Sequence, residues 1–251
     1  MKNKKCIDLN GNICPWMTYD SINFLNSVVK PTHSVFEYGS GNSSLWWSTK
    51  LNDGNLHSVE HDKIWYDQFR LPTTKLIEVD SRLNEKHYNC LKEFYSVVED
   101  SSLLAEHWNP AARKKRWWLS MPRKKQIESC HFDQTLPYRS YACEILNHEQ
   151  QFDIIVVDGM ARVLTIWLAI QKLKPDGFIV FDNSDRVKRY APAFTFLKEN
   201  DYIEIPFYGN GPINHWKWKT SVFTKNKNIL SLAGDAVHNN QKEYKSLDDL
   251  I

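Results

Sequence analysis

Two short segments near the amino terminus combine glycines and a carboxylate in a spacing typical of nucleoside binding. An apolar run that begins at Val35 ends in the turn Gly39-Ser40-Gly41, and a second run, Leu56–Val59, ends at Glu60. Glycines let the backbone turn tightly against a ligand, and a carboxylate at the end of the next strand can bind ribose hydroxyls. The residues expected around such a ligand are Gly39, Ser40, Gly41, Asn42, Ser43, Glu60, His61 and Asp80.

Glu37 indicates which nucleoside is expected. It stands just before the first glycine, where a carboxylate repels an anionic pyrophosphate and attracts an ammonium or a sulfonium group. The third glycine of the dinucleotide fingerprint is absent, because Ser44 stands in its place. The sequence therefore predicts S-adenosylmethionine as the ligand, with Glu37 among the residues that bind it.

Two further apolar runs end in acids. Phe152–Val157 is followed by Asp158, and Phe178–Phe181 is followed by Asp182 and Asn183. The carboxyl edge of an open α/β sheet is where ligands bind, so these side chains are expected to lie together there. Their oxygens suit Mg²⁺, and Asp158 is also expected to contact the donor. The alternative is that these residues only cap a helix and turn the chain, and both interpretations stay open.

The elements that must position these residues are readable from the hydrophobic pattern. Short β-like runs alternate with helical patterns, which predicts a mostly parallel sheet with helices on both faces. Helices are expected at Ser43–Leu51, 62–70 and Arg162–Leu173, and the segment Lys174–Gly177 is expected to turn into the fifth strand. The last two strands are too close in sequence for a parallel crossover, so an antiparallel hairpin is expected. The candidate strands are 33–39, 55–60, 74–79, 152–158, 177–182, 202–207 and 219–224.

Length, charge and cysteine content set the frame for this fold. The 251 residues fit one domain, with an N-terminal helical extension at 1–32, an insertion-bearing segment at 81–151 and a polar C-terminal tail at 227–251. The net charge of +2 argues against a surface that coats nucleic acid. The five cysteines lack any C-x-x-C spacing, which indicates reduced thiols in the cytoplasm. No apolar run is long enough to span a membrane, so neither secretion nor a membrane contact is expected.

The insertion carries a basic stretch. Residues 113–125 hold seven positive charges and the pair Trp117-Trp118. Three interpretations stay open: a solvated face, a clamp over an anionic substrate, and a contact to nucleic acid in which arginine pairs with phosphate and aromatic rings stack on bases.

From Glu37 to Phe223 the chain resembles the class I S-adenosylmethionine-dependent methyltransferases. The segment Glu37–Gly41 is similar to their first motif, Glu60 to their ribose-binding acid, and Lys172–Gly177 to their turn before strand five. The resemblance implies a Rossmann-like, doubly wound sheet of seven strands in the order 3-2-1-4-5-7-6 with the last strand antiparallel. It also implies methyl transfer from S-adenosylmethionine.

Within that class, Asp158 followed by Asp182-Asn183 is similar to the metal-binding residues of catechol, caffeoyl-coenzyme A and sugar O-methyltransferases. This similarity implies Mg²⁺ and a hydroxylated acceptor such as a sugar or a phenol. Those enzymes carry a lysine or a histidine three residues after the first metal acid, whereas this chain has Ala161 and then Arg162. The proton acceptor is therefore open. The candidate catalytic residues are Asp158, His61, His131 and His215.

Several function classes remain open at this point. The first is a small-molecule O-methyltransferase. A nucleic-acid methyltransferase would use residues 113–125, although Val157–Met160 lacks the Asp/Asn-Pro-Pro-aromatic motif of base amino methylation. A non-catalytic S-adenosylmethionine-binding module is the third, and an NAD-dependent oxidoreductase is opposed by Glu37. The oligomeric state is not readable, and a homodimer is one open alternative.

Overall fold

The computed structural model describes residues 6–8, 11–78, 83–100 and 138–240. Asp80, His131 and the basic stretch 113–125 lie outside these residues, as does the part of the predicted tail from 241 onward. Among the described helices, none combines the length and the apolar character needed to cross a membrane.

Helices and strands alternate along the described chain. Their lengths follow the apolar runs of the sequence, and the bounds lie within a few residues of those expected. The helices are α1 (Tyr19–Val28), α2 (Asn42–Lys50), α3 (Lys63–Phe69), α4 (Glu85–Asp100), α5 (Arg139–Cys143), α6 (Arg162–Lys172), α7 (Ala191–Glu199) and α8 (Lys227–Asn240), with a 3₁₀ turn at Glu144–Asn147. The strands are β1 (Val35–Tyr38), β2 (Leu56–Glu60), β3 (Thr74–Leu76), β4 (Phe152–Val157), β5 (Leu173–Phe181), β6 (Ile203–Gly209) and β7 (Trp218–Thr224).

The strands form one seven-stranded sheet in the order β3-β2-β1-β4-β5-β7-β6. β1 pairs in parallel with β2 and with β4, and β7 runs antiparallel to both β5 and β6. The expected Rossmann-like α/β fold, including its strand order and its antiparallel last strand, is therefore confirmed.

The central strands are buried on both faces, which explains why their sequences read as continuous apolar runs. Phe36 and Ile155 belong to one core cluster, which also contains Leu164 of α6. Val35 belongs to the other cluster, which contains Trp47 of α2. Successive residues of one strand thus serve opposite layers, and the sheet is held between two sets of helices.

The start of β5 differs from the expected turn. Leu173 already pairs with Phe152, and after a register shift the ladder resumes with Phe178. Pro175 cannot donate a hydrogen bond to a ladder, so it is tolerated in this irregular stretch. Lys174–Gly177 is therefore an irregularity within β5 and not a turn before it.

The strand order locates the cleft. The chain moves from β1 outward to β2 and β3 on one side, and then to β4 and β5 on the other. In open α/β sheets ligands bind outside the carboxyl ends of the strands where the order reverses, which here is between β1 and β4. A cavity of about 620 Å³ opens at this point.

Candidate functional site

The turn after β1 is shaped by two glycines that have different reasons to be there. Gly39 has φ +91°, and a Cβ atom on it would lie 2.9 Å from the backbone of Gly159, in the turn after β4. Gly41 has an extended backbone, but a Cβ atom there would lie 3.1 Å from Nε1 of Trp65. The first glycine is thus required by its conformation and by a close approach, and the second mainly by a neighbouring ring.

Glu37 lies behind this turn and is completely buried. Its Oε2 accepts hydrogen bonds from the hydroxyls of Ser58, at 2.8 Å, and Ser44. Burial raises the pKa of Glu37 to about 7, while the nearby serine hydroxyls lower it. The side chain is not part of the cleft wall. Its charge can therefore act on a ligand only through the turn.

Glu60 ends β2 and stands in the cleft wall. Its Oε1 accepts hydrogen bonds at 2.8 Å from the backbone N–H groups of His61 and Asp62. Nδ1 of His61 also lies 2.9 Å from the same oxygen. Within the described residues Oε2 has no hydrogen bond, so a fixed carboxylate offers one oxygen to hydroxyls in the cleft.

Trp65 forms a wall of the cleft that was not predicted from the sequence. Asp62 caps α3 by accepting hydrogen bonds from the N–H groups of Ile64, at 2.8 Å, and Trp65, at 3.0 Å. Nε1 of Trp65 donates to the carbonyl of Ser40 in the glycine turn. Asp62 thus fixes the backbone of Trp65, and the bond to Ser40 holds its ring against the turn. The available signal was Asp62, an N-cap residue close behind the predicted ribose acid.

Arg162 joins the ends of β4 and β5. Its Nε donates to the carbonyl of Gly159 at 2.9 Å, and its Nη2 donates to the carbonyl of Asp158 at 2.9 Å and to Oδ1 of Asp158 at 3.0 Å. Nη1 donates to the carbonyl of Asp182. The guanidinium is only 10% exposed, so it works as a buried clamp between two strand ends.

The two acids of the predicted metal site are already engaged. Oδ1 of Asp182 accepts hydrogen bonds from Oγ1 of Thr220 at 2.6 Å and from Nε1 of Trp218 at 2.9 Å. Burial raises the pKa of Asp158 well above its ordinary range, and the nearby Asp182 raises it further, against the lowering effect of Arg162. Burial likewise raises the pKa of Asp182, although Arg162 lowers it.

These contacts do not fit a magnesium ion. The permanently charged guanidinium of Arg162 pairs with Asp158. It therefore already occupies the carboxylate that a magnesium ion would need. Asn183 lines the cleft at φ +51°, but within the described residues no group of three or more histidine, cysteine, aspartate or glutamate side chains could hold a metal. The set Asp158, Asp182 and Asn183 is thus brought together as expected, but it is organised around Arg162.

The predicted histidines are placed differently from one another. His61 lines the cleft, and its ring centroid is 5.0 Å from that of Tyr138 and 5.6 Å from that of Tyr141. His215 is not in the cleft wall, although its neighbours Asn214 and Trp216 are. His61 is therefore the histidine that a ligand in the cleft can contact.

Loops around the cleft add aromatic and basic side chains to its wall. Trp16 approaches from the segment before α1, and Trp216 from the loop between β6 and β7 is 64% exposed. Arg186 and Lys217 bring positive charge to the same wall. Trp16 and Lys217 were not expected at the site, because each comes from a loop whose path the sequence pattern does not specify.

Most of the residues expected to bind the donor meet in one wall. Glu37 lies behind the turn, and Asp80 lies outside the described residues. Those in the wall are Gly39, Ser40, Gly41, Asn42, Ser43, Glu60, His61 and Asp158.

Comparison by sequence finds no relatives. No family model matches the chain, and no curated protein matches it.

Comparison of structures finds loose similarities. The chain is similar to precorrin-6y C5,15-methyltransferase from Geobacter metallireducens, with 12% identity and a TM-score of 0.46 over 82% of this chain and 87% of that one. It is similar to an O-methyltransferase from Bacillus cereus in complex with SAH, with 13% identity and a TM-score of 0.45 over 82% and 80%. Spermidine synthase from Thermotoga maritima matches at 11% identity and a TM-score of 0.42 over 92% of this chain and 64% of that one. At these values the comparisons carry no argument about activity.

Proposed function

We propose that this protein is an S-adenosylmethionine-dependent methyltransferase that acts on a hydroxyl group of a small molecule. The observation that supports the proposal is a glycine turn with carboxylates around it. Glu60 and Asp158 stand with the turn Gly39–Gly41 in the cleft wall, and Glu37 is buried behind it. Such a site attracts a cationic donor and repels the phosphates of a dinucleotide.

The donor is expected to lie along the turn. Glu60 accepts hydrogen bonds from the ribose hydroxyls through Oε2, while Trp65 forms the wall beside the adenosyl group. The methionine part follows the turn residues Asn42 and Ser43, which places the sulfonium toward the ends of β1 and β4. The aromatic and basic residues that the surrounding loops contribute to the wall are then left for the acceptor.

Methyl transfer is an in-line displacement in which the acceptor oxygen attacks the methyl carbon as the carbon–sulfur bond breaks. Alignment of the two reactants can contribute roughly 7–11 kcal/mol to such a step. Asp158 is our candidate for the proton acceptor, because it ends β4 in the cleft and its side chain is 25% exposed. Its raised pKa makes it a better base than an ordinary carboxylate.

The reaction is proposed to proceed without a metal ion. In the metal-dependent alternative, Mg²⁺ would lower the pKa of the acceptor hydroxyl. Here Arg162 already compensates Asp158, and Asp182 is held by Thr220 and Trp218. Full loss of turnover in chelator, with recovery on added Mg²⁺, would contradict this part of the proposal.

We also propose a cytoplasmic location. Among the described cysteines, Cys6, Cys14, Cys90 and Cys143 are free thiols, which is compatible with a reducing cytoplasm. A homodimer stays a prediction. The nucleic-acid alternative depends on residues 113–125, and it would be favoured if binding of RNA or DNA weakened steeply with salt.

The donor assignment is tested by calorimetry with S-adenosylhomocysteine and with NAD. Wild type is expected to bind the first and to ignore the second. Glu60→Ala removes the only acceptor proposed for the ribose hydroxyls, so affinity should fall roughly a hundredfold. Asp67→Ala is the matched control, because Asp67 is an exposed carboxylate of α3 that pairs with Lys63 and lies outside the cleft wall.

Unchanged affinity in Glu60→Ala, or binding of NAD in place of the adenosyl ligand, would overturn the assignment. Catalysis is tested separately by release of S-adenosylhomocysteine in the presence of hydroxylated acceptors. Asp158→Asn should lower kcat while it leaves donor affinity within a few-fold. A protein that binds the donor but turns over no acceptor would be a binding module.

A further inference from the structure

A second, smaller cavity adjoins the donor cleft and is walled by three arginines. It encloses about 90 Å³ between the start of α6 and the loop before α7. Arg162, Arg186 and Arg189 line it together with Tyr190, and residues 159–163 complete the wall. None of the described residues that line this cavity is acidic. The charged side chains that line this cavity are therefore all cationic.

The backbone of the loop fixes the positions of two of these arginines. The N–H of Arg186 donates to the carbonyl of Asn183 at 3.2 Å, and the N–H of Arg189 donates to the carbonyl of Arg186 at 2.9 Å. The guanidinium carbon of Arg189 lies 5.6 Å from the ring centroid of Tyr190, and that of Arg162 lies 5.8 Å from it. Tyr190 is only 5% exposed, so one buried ring supports two cations.

The three arginines differ in what they can still donate. Arg162 donates to the carbonyls of Gly159, Asp158 and Asp182 and pairs with the carboxylate of Asp158, so its donors and much of its charge are already engaged. Arg186 is exposed, and within the described residues its side chain has neither an ion pair nor a hydrogen bond. Its planar fork of donors is thus available to a bidentate partner such as a carboxylate or a phosphate.

The cavity is much smaller than the cleft, at about 90 Å³ against about 620 Å³. It therefore suits a single oxyanion group better than a whole sugar or aromatic ring. The cavity shares Gly159, Met160, Arg162 and Arg186 with the wall of the large cleft. A molecule whose hydroxyl lies in the cleft can therefore place an attached anionic group beside the arginines.

We infer that this arginine cavity binds an oxyanion group of the acceptor, so that the substrate is a hydroxylated small molecule that carries a carboxylate or a phosphate. The inference rests on the proposed function, because it treats the large cleft as the site of methyl transfer. It narrows the acceptor from any hydroxylated metabolite to an acidic one. Arg186 is the residue that selects this charge, and Arg162 and Arg189 support it.

The site is tested on the full chain saturated with S-adenosylhomocysteine. Inorganic phosphate is titrated in one arm and acetate in the other, at constant ionic strength, and binding is followed by calorimetry. Wild type is expected to bind at least one of the two anions. Arg186→Gln should weaken that binding about tenfold or more, and Arg189→Gln should weaken it while it preserves affinity for S-adenosylhomocysteine.

Lys188→Gln is the matched control. Lys188 is an exposed cation of the same loop that lines neither cavity, so its removal should change anion binding less than twofold. Equal weakening by Lys188→Gln and Arg186→Gln would show a general charge effect and overturn the inference. So would wild type that binds neither anion. If Arg189→Gln does not fold, as judged by circular dichroism, the exposed Arg186 variant still decides.

Turnover provides the second readout. Matched acceptors that differ only in charge, such as catechol and 3,4-dihydroxybenzoate or galactose and galactose 6-phosphate, are compared in wild type and in Arg186→Gln. The acidic member should be preferred by wild type, and Arg186→Gln should raise its KM with little change in kcat. Preference for the neutral members would contradict the inference. Loss of S-adenosylhomocysteine binding with intact anion binding would instead contradict the proposed function alone.

Discussion

At the scale of single residues, the carboxyl of Glu37 lies in an environment that disfavours its charged form. It is fully buried, and its Oε1 has no hydrogen-bond partner within the described residues. Ser44 and Ser58 both donate to Oε2, which ties α2 and β2 to β1. Because burial raises the pKa of Glu37 to about 7, the folded protein holds a mixture of the acid and its anion near neutral pH.

This raised pKa predicts a pH-dependent stability. Below the ordinary value of 4.5 the carboxyl is protonated in both the folded and the unfolded chain, and its contribution is fully present. As pH rises from there to about 7, only the unfolded chain loses the proton, so the folded state is progressively disfavoured. Glu37→Gln removes the titrating carboxyl. As pH rises from 4.5 to 8, the free energy of unfolding of this variant should therefore increase by about 3 kcal/mol relative to that of wild type.

The measurement is urea unfolding of both proteins across that pH range, because the titration of all other groups cancels in the difference. Asp67→Asn, which alters an exposed carboxylate, should stay parallel to wild type. A Glu37→Gln curve that also runs parallel to wild type would show that the carboxyl is ionised throughout.

Local sequence pattern was enough to find the residues that follow strands. Gly39, Gly41, Glu60 and Asp158 were readable because each comes at the end of a buried apolar run, where a parallel sheet exposes its carboxyl edge. A pairing of Arg162 with Asp158 or Asp182 could be anticipated from the sequence, and the pair with Asp158 is present, but the full clamp across both strand ends was not readable. It depends on a side-chain conformation that links two strands through backbone carbonyls, and sequence spacing does not specify such bonds.

At the scale of elements, the site depends on two turns that touch. The turn from β1 into α2 packs against the turn from β4 into α6, because neither Gly39 nor Gly159 has a side chain at the contact. The N–H of Gly39 also donates to the carbonyl of Val59 at 2.9 Å, which brings β2 into the same junction. A change in either turn therefore moves the residues of both strand ends.

Substitution of Gly39, which contacts Gly159, should destabilise the fold far more than substitution of a glycine with open space around its Cβ position. Gly39→Ala adds a Cβ atom 2.9 Å from the backbone of Gly159 and also meets the cost of φ +91°. Gly54→Ala is the matched control, since Gly54 has φ +82° but nothing within 4 Å of its Cβ position. Gly54→Ala should cost about 1–2 kcal/mol for the left-handed backbone alone.

Gly39→Ala should cost more than about 4 kcal/mol, which is the range of mutations that force a backbone shift. Thermal and urea unfolding measure both variants. Similar losses of stability in Gly39→Ala and Gly54→Ala would mean that the contact between the two turns adjusts. The positive φ would then account for the whole cost. Binding of S-adenosylhomocysteine should fall in Gly39→Ala and stay unchanged in Gly54→Ala, which lies away from the cleft.

The sequence predicted the positions of the strands more accurately than it predicted their irregularities. The strands were found because both faces of the sheet are covered, which leaves unbroken apolar runs such as Phe152–Val157. The irregular start of β5 was missed. A segment with proline and glycine reads as a turn, and only the pairing of Leu173 with Phe152, a contact across the sheet, keeps it in the strand.

At the scale of the whole molecule, the cleft is completed by chain that is distant in sequence from the glycine turn. Trp16 reaches the cleft wall from the segment before α1, and the N–H of Cys6 donates to Oδ1 of Asn42 in the turn at 3.0 Å. Cys14 donates its N–H to the carbonyl of Cys6 at 3.0 Å and closes this segment on itself. Such a return of the amino terminus to the site is a long-range contact that no local pattern announces.

Ligand binding should therefore stabilise the amino-terminal segment as well as the turn. A donor in the cleft is expected to fix Asn42, whose Oδ1 accepts the N–H of Cys6, so openings of the segment that break this bond should become less frequent. With saturating S-adenosylhomocysteine, hydrogen exchange at the amides of Cys6 and Cys14 should slow roughly tenfold or more. The amide of Asn55, which donates to the carbonyl of Asn52 away from the cleft, should be unaffected.

Glu60→Ala separates coupling from any direct effect of the added compound, because this variant should bind the ligand roughly a hundredfold more weakly and show little slowing at a concentration that just saturates wild type. If hydrogen exchange at Cys6 and Cys14 of wild type were equal with and without ligand although calorimetry reports binding, the segment would be independent of the cleft. In that case Trp16 would line the cleft without contributing to donor binding. Residues 6–16 could then be altered without a change in donor affinity. The coupled outcome would instead make the amino-terminal segment part of the donor site.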